Sequence, residues 1–495
     1  MTSVQPVAEP KRSLIRNTLW NLAGTLVPLL IGLVAIPFLL RSLGIERFGM
    51  LSLIWMLTGY FGLLDLGLGR ALTKLVAEQA EHVHPDELSR LIWTGLALMS
   101  VFGAAGAVVL ALTAESVVRG LLHVPEALET EAIGATWFLA LSLPVTVVST
   151  GLRGVLEGLH LFKLVNLIRL PLGALTFLAP LAVTVFTPDL AVVSASLVGV
   201  RLLALAMHAI ACVRTLPALA RAMRPDRTLC RRLLSFGGWL TASNVVSPLM
   251  TYLDRFVIGS LLSLTAVAYY ATPYEIVTKL WYVPFSLIGV LFPAFSSSIA
   301  QRRPESAVLM VRSIAAVFAI IFPAVLFAVA FAREGLGLWL GEDFASHSFI
   351  VLQWLAAGVL INSMALVSIT FVLGAGRSDW VAKLHVAELP LYLFGLWWML
   401  DAAGIVGAAI AWTIRVTVDA LVLLWMAHRA APAGIHLPGQ LVLVIVIGLA
   451  VLLPAALIES AAVRGLIGFI FAVTLPVFLW RRCVRPRRVQ FPELK

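Results

Sequence analysis

The sequence predicts an all-α polytopic membrane protein with about fourteen transmembrane helices, and three observations carry that prediction. Hydrophobic residues make up 60% of the 495 and charged residues 13%, whereas a soluble domain is nearer half apolar and a quarter charged. The apolar residues form continuous runs of about twenty, not the alternating pattern of barrel strands, so the backbone polar groups must be satisfied within helices. Finally, 27 of the 36 Lys and Arg fall on one side of the runs and five on the other, with four inside them. That asymmetry assigns the rich side, and with it both termini, to the cytoplasm.

In chain order, the first run is placed at about 15–40. Lys11 and Arg12 ahead of it imitate a secretion signal, but the run is too long and lacks a small-residue cleavage site, so a retained span is expected. Five further runs follow at about 49–72, 91–112, 132–156, 164–186 and 189–212, and with the first they make an amino-terminal six-helix bundle over residues 1–212. Residues 213–233 form a cytoplasmic basic linker with six Arg against one Asp. Its Leu216, Leu219, Ala220, Met223 and Leu229 alternate with arginines, which suits either a helix on the inner membrane surface or a solvated connector. Runs at about 234–259, 274–298, 309–332, 348–373, 384–401 and 404–427 make a second bundle over 234–428. An extra pair occupies 438–480, and a basic tail covers 481–495.

The formal charge of +10 reflects this topology and contact with anionic lipid, not nucleic-acid binding. Cys212, Cys230 and Cys483 map to cytoplasmic ends, where thiols stay reduced, so no disulfide is expected. No cofactor or metal is expected either, because His208 has no second ligand at metal-site spacing.

Within the runs stand Arg201, Arg255, Lys279 and Arg415 with Asp65, Asp254, Glu275, Glu388 and Asp419. At about 3 kcal/mol each by insertion scales, these nine exceed the net stability of a typical protein, about 5–15 kcal/mol. They must pair or face a water-filled cavity, which points to a transporter. Arg201 has apolar helical neighbours Leu197, Val198, Ala204 and Leu205, so no acid on its own helix can neutralise it. Glu275 and Lys279, and Arg415 and Asp419, are each four apart and can pair along one helix face. Glu388, three residues after His385, and Asp65, which stands alone, are candidates for a coupling proton or sodium ion. Arg70, Arg153, Arg169 and Arg312 against Glu157 make the inner mouth positive, a landing site for a cytoplasmic phosphate or a set of snorkelling anchors. Trp281, Tyr282, Trp397 and Trp398 suit an interfacial aromatic belt or stacking on sugar rings.

The two halves repeat faintly. An offset of 218 residues sets Pro37-Phe38-Leu39-Leu40-Arg41-Ser42-Leu43-Gly44 against Arg255-Phe256-Val257-Ile258-Gly259-Ser260-Leu261-Leu262. Six spans per half would make such repeats parallel.

Three strings carry a family resemblance. They are Arg41-Ser42-Leu43-Gly44-Ile45-Glu46-Arg47-Phe48-Gly49, then Leu63-Leu64-Asp65-Leu66-Gly67-Leu68-Gly69-Arg70, and Asp254-Arg255-Phe256-Val257-Ile258-Gly259 with the later Tyr269-Tyr270 and Leu291-Phe292-Pro293-Ala294-Phe295-Ser296. They resemble polysaccharide and O-antigen flippases of the multidrug, oligosaccharidyl-lipid and polysaccharide exporter superfamily. The resemblance is strongest over residues 15–75 and 234–300. It implies two bundles around a central cavity and transfer of polyprenyl-diphosphate-linked sugars to the outer leaflet of a bacterial inner membrane. A diphosphate would need cations in such a cavity, so Arg201, Arg255, Lys279 and Arg415 are candidate substrate contacts or, alternatively, structural salt bridges, and the polysaccharide polymerase machinery and membrane lipids are the expected partners. The terminal pair has a counterpart in fourteen-span members, and in the peptidoglycan-precursor branch it forms a groove for the isoprenoid tail.

Two other readings stand beside this one. A cation-coupled multidrug exporter of the same superfamily would typically have twelve spans and cationic substrates. A membrane glycosyltransferase or polymerase would need a catalytic cluster, whereas the longest outer loop, about 113–131, offers only Glu115, Glu126, Glu129 and Glu131.

Overall fold

The computed structural model describes residues 10–61, 67–79, 84–221, 225–226, 228–230, 250, 253–301, 305–431, 435 and 439–481. The described residues are helical throughout and contain no strand. Ten of the helices among them are long and apolar enough to cross a membrane. The first region contains α1 (Pro10–Leu43), α2 (Ile45–Phe61), α3 (Leu68–Gln79), α4 (Pro85–Ser116), α5 (Glu126–Gly158), α6 (Phe162–Thr184), α7 (Leu190–Thr215) and α8 (253–261). The remainder contains α9 (Leu264–Thr278), α10 (Tyr282–Ala300), α11 (Glu305–Ala330), α12 (Ala332–Leu340), α13 (Glu342–Gly374), α14 (Ser378–Ala430), α15 (Gly439–Leu457) and α16 (Ala461–Leu479).

Helix ends follow local chemistry. Asp189 caps α7 by accepting from the Ala191 and Val192 amides at 2.7 and 3.2 Å, which satisfies donors that an α-helix leaves open. Pro85 starts α4 with Asp86 and Glu87 in the first turn, the favourable end of the helix dipole for acids.

The run at 49–72 is not one straight helix to its end, because Gly67, whose φ of 73° suits glycine, turns the chain just ahead of α3. Leu68, Ala71, Leu72, Leu75 and Val76 are buried on α3 while Arg70 and Lys74 are exposed, so this segment is an amphipathic helix packed on the protein. Asp65 lies outside the described residues. The predicted boundary between 384–401 and 404–427 is present: α14 consists of two helical arms that meet at Ala403 and Gly404 (φ 57°, ψ −141°). In the described part of the basic linker, residues 218–221 and 228–230 are helical, and Leu219 is buried. The turn at 218–221 is held to α4 by Trp93 Nε1 donating to the Leu219 carbonyl at 2.9 Å and Ser89 Oγ to that of Ala218 at 3.3 Å.

The chain divides into two compact units, Met1–Ala268 and Tyr269–Lys495. In the first, α5 is central and packs on α3, α4 and α7. Small residues set the approach: a Cβ on Gly154 would sit 2.7 Å from the Gly69 carbonyl, and one on Gly103 would sit 2.7 Å from Pro144. The α8 segment belongs to this unit, with the His123 amide donating to the Gly259 carbonyl at 3.1 Å.

In the second unit α13 is central, burying Val351, Leu355, Val359 and Phe371 against α10, α11, α12 and α14. The terminal pair α15 and α16 lies on α11, where Gly448 meets the stacked rings of Phe318 and Phe322. Gly358 faces the indole of Trp412 with no space for a Cβ. Gly358→Val is therefore expected to cost about 3 kcal/mol by overpacking, read as a lower unfolding midpoint in detergent, while Gly395→Ala, with nothing near its Cβ, should leave the midpoint unchanged.

Candidate functional site

The bend in α14 creates the most concentrated group of buried charges among the described residues. In a straight helix Glu388 and Arg415 would be about 40 Å apart, yet Arg415 Nη2 lies 3.5 Å from Glu388 Oε2. The two halves therefore fold back into a hairpin. His385, one turn before Glu388, brings Nε2 to 3.8 Å from Asp419 Oδ1. The side chains are nearly dry, with 13% of Arg415 and 8% of Glu388 exposed.

These contacts are longer than charge-assisted hydrogen bonds, which run about 2.7–2.9 Å. Both Glu388 oxygens, Asp419 Oδ1 and Arg415 Nε have no hydrogen-bond partner. Such a quartet, with two acids, one fixed cation and one imidazole, has acceptor positions open to a proton. No group of three or more His, Cys, Asp or Glu suited to a metal occurs among the described residues. The expected pairing of Arg415 with Asp419 along one helix does not form. The hairpin offers Arg415 the acid of the other half instead, and it gives Asp419 His385.

The remaining expected positions are scattered over the two units. In the first, Arg201 is partly buried on α7 and makes no hydrogen bond or ion pair among the described residues. Asp254 and Arg255 are fully buried on α8, and Asp254 Oδ1 accepts from the Arg255 amide at 2.7 Å. Arg153 Nε lies 3.6 Å from Glu157, and Arg70 and Arg169 are exposed. In the second unit, Lys279 donates to Glu275 at 2.8 Å as an i,i+4 pair, and Arg312 is partly buried on α11. Trp281 packs 6.3 Å from Trp412, whereas Trp397 and Trp398 are more than half exposed, as belt residues would be.

Three of the four acids of 113–131 are held in ion pairs. Arg119 pairs with Glu115 and with Glu129. Arg47 grips Glu131 with two bonds, Nε at 2.8 Å and Nη2 at 2.7 Å, and Glu131 also accepts from the Leu190 amide at 3.1 Å, so it ties α2, α5 and α7 together. The guanidinium hydrogen-bonded to it holds the Glu131 carboxyl below the usual carboxylate range. An ionised, doubly bonded carboxylate is a poor general acid.

Sequence reasoning passed over one buried ion pair. Arg464, on α16, donates to the Ala330 carbonyl and to Glu334 and lies 5.8 Å above the Phe331 ring. It sits just inside a predicted run, so charge counting placed it in solvent. No nearby acid on its own helix marks it.

Residues 14–299 match the family described as polysaccharide biosynthesis protein. A putative O-antigen transporter from Shigella flexneri is 30% identical over 417 residues, spanning 84% of this chain and 98% of the relative. Among solved structures, an inward-facing multidrug resistance MATE transporter of the MOP superfamily gives a TM-score of 0.70 at 16% identity, over 84% of this chain and 95% of that one. The lipid II flippase MurJ in its inward closed conformation gives 0.71 at 12% identity, over 94% and 100%. At these identities the solved structures show a shared fold.

Proposed function

Because the chain belongs to the polysaccharide biosynthesis protein family, we propose that it is a flippase that moves a polyprenyl-diphosphate-linked oligosaccharide, the repeat unit of a surface polysaccharide, across a bacterial inner membrane by alternating access. The observation that carries this reading is the likeness to the putative O-antigen transporter over 98% of that protein's length. Fourteen spans are proposed, as six-helix repeats at 1–212 and 234–428, joined by the linker 213–233 and followed by the pair 438–480 and the tail 481–495. Both termini face the cytoplasm.

Arg201, Arg255, Lys279 and Arg415 are the proposed substrate contacts, since arginine supplies paired donors to phosphate oxygens. Arg201 has the strongest support, because it alone of the four has no partner of its own among the described residues. Asp65, Asp254, Glu275, Glu388 and Asp419 are proposed for ion coupling or for balancing cavity charge. The loosely held carboxylates of Glu388 and Asp419 favour a proton there. Arg70, Arg153, Arg169 and Arg312 form the proposed landing site for the cytoplasmic diphosphate, and the polymerase machinery is the proposed recipient of the exported unit.

The multidrug exporter fold matches as well as the flippase fold, so a transport assay separates the two. Deleting the gene should trap lipid-linked sugar on the cytoplasmic leaflet, and Arg201→Ala at normal membrane abundance should reduce surface polysaccharide about tenfold or more, the scale of a lost charged hydrogen bond. Unchanged surface polysaccharide in the deletion strain, together with drug efflux by purified protein in vesicles, would overturn the reading.

A further inference from the structure

The seam between α5 and α7 in the first unit holds polar groups with no task so far. The Cys212 thiol donates to the Leu152 carbonyl at 3.4 Å, which fixes the register of the two helices. Arg153 follows Leu152, and His208 lies one turn before Cys212 on the same face of α7. His208 is only 6% exposed. Arg201 is seven residues before His208, two turns and about 10 Å along the same face. His208 thus shares a helix face with Arg201, and the facing helix carries Arg153 next to the Leu152 carbonyl that meets Cys212.

The hydrogen bonding of this seam is incomplete. His208 Nδ1 is 2.7 Å from the Ala204 carbonyl, which fixes the proton on Nδ1 of the neutral ring and leaves a lone pair on Nε2. That Nε2 is buried and has no hydrogen-bond partner. Arg153 Nε makes no hydrogen bond either, and its ion-pair partner is Glu157 at 3.6 Å. With an anion bound, a proton on Nε2 turns it into a donor toward that anion, and binding and protonation favour each other by linkage.

We propose that Arg153, His208 and Arg201 form a phosphate track along the α5–α7 seam, with His208 as a ligand that takes a proton from water as the phosphate group arrives. The proposal rests on the flippase reading for its ligand, the diphosphate of the lipid-linked sugar, and it gives that reading a route through the first unit. The same donors would accept the phosphate of an anionic lipid headgroup, so the test separates the two.

The full chain, labelled with ¹⁵N-histidine, is placed in phosphatidylcholine nanodiscs and titrated with inorganic pyrophosphate. The expected result is movement of the His208 Nε2 resonance from its neutral to its imidazolium position, absent from His208→Gln, with pyrophosphate binding about tenfold weaker in Arg201→Gln and in Arg153→Gln. Equal movement with sulfate, or movement on adding phosphatidylglycerol without pyrophosphate, would overturn the track as a diphosphate site. A silent His208 resonance in protein that still supports export would overturn the track while leaving the flippase reading intact. An imidazolium response in a chain whose deletion leaves export normal would uphold the track and sink the flippase reading.

Discussion

Replacing Arg415 with leucine is expected to destabilise the protein by about 3 kcal/mol, because removing one partner of a buried pair leaves an uncompensated charge. Glu388 and Asp419 would remain in the α14 hairpin with only His385 beside them. The single variant should unfold several degrees lower in detergent. Adding Glu388→Gln should recover most of the loss, since a neutral amide needs no counter-ion, and the double-mutant cycle should return a coupling of about 1–3 kcal/mol. A single variant as stable as the parent would mean that the quartet exchanges protons freely enough to neutralise itself.

Arg464→Leu should cost about 2 kcal/mol, below the usual range for a broken buried pair because Glu334 is 39% exposed. Arg464 itself is buried, and its fork reaches the last carbonyl of α11 and the acid of α12 together. Losing it frees one end of α15 and α16 from α11. Hydrogen exchange over 458–470 should accelerate in Arg464→Leu and change less in Arg464→Lys, which keeps the charge without the fork. Unaltered exchange in both would assign the pair's position to the packing of Gly448 on Phe318 and Phe322 alone.

Hydropathy made most spans legible, because hydrocarbon leaves the backbone only a helix to adopt. The Lys279–Glu275 contact was equally legible, since four-residue spacing acts within one helix. The same rule failed for Arg415, whose nearest acid is 27 residues away in sequence and arrives only through a reversal at Ala403 and Gly404. The reversal falls between the two predicted runs, 384–401 and 404–427, but hydropathy does not say which buried side chains of the two arms meet. The turn at Gly67 was hidden: α3 has enough Leu and Val to extend a hydropathy window, and only its exposed Arg70 and Lys74 distinguish an amphipathic helix from a span. His208 drew no reading beyond the lack of a second metal ligand, and only the Cys212–Leu152 contact sets its helix face against α5.

The tight reversal in α14 has a consequence for biogenesis. Arms joined by two residues leave the translocon nearly together, so Glu388 and His385 meet Arg415 and Asp419 before any later helix exists. The four ionisable groups can enter lipid already matched. A longer tether at this corner would instead strand Glu388 and His385 in the bilayer while Arg415 and Asp419 were still being synthesised.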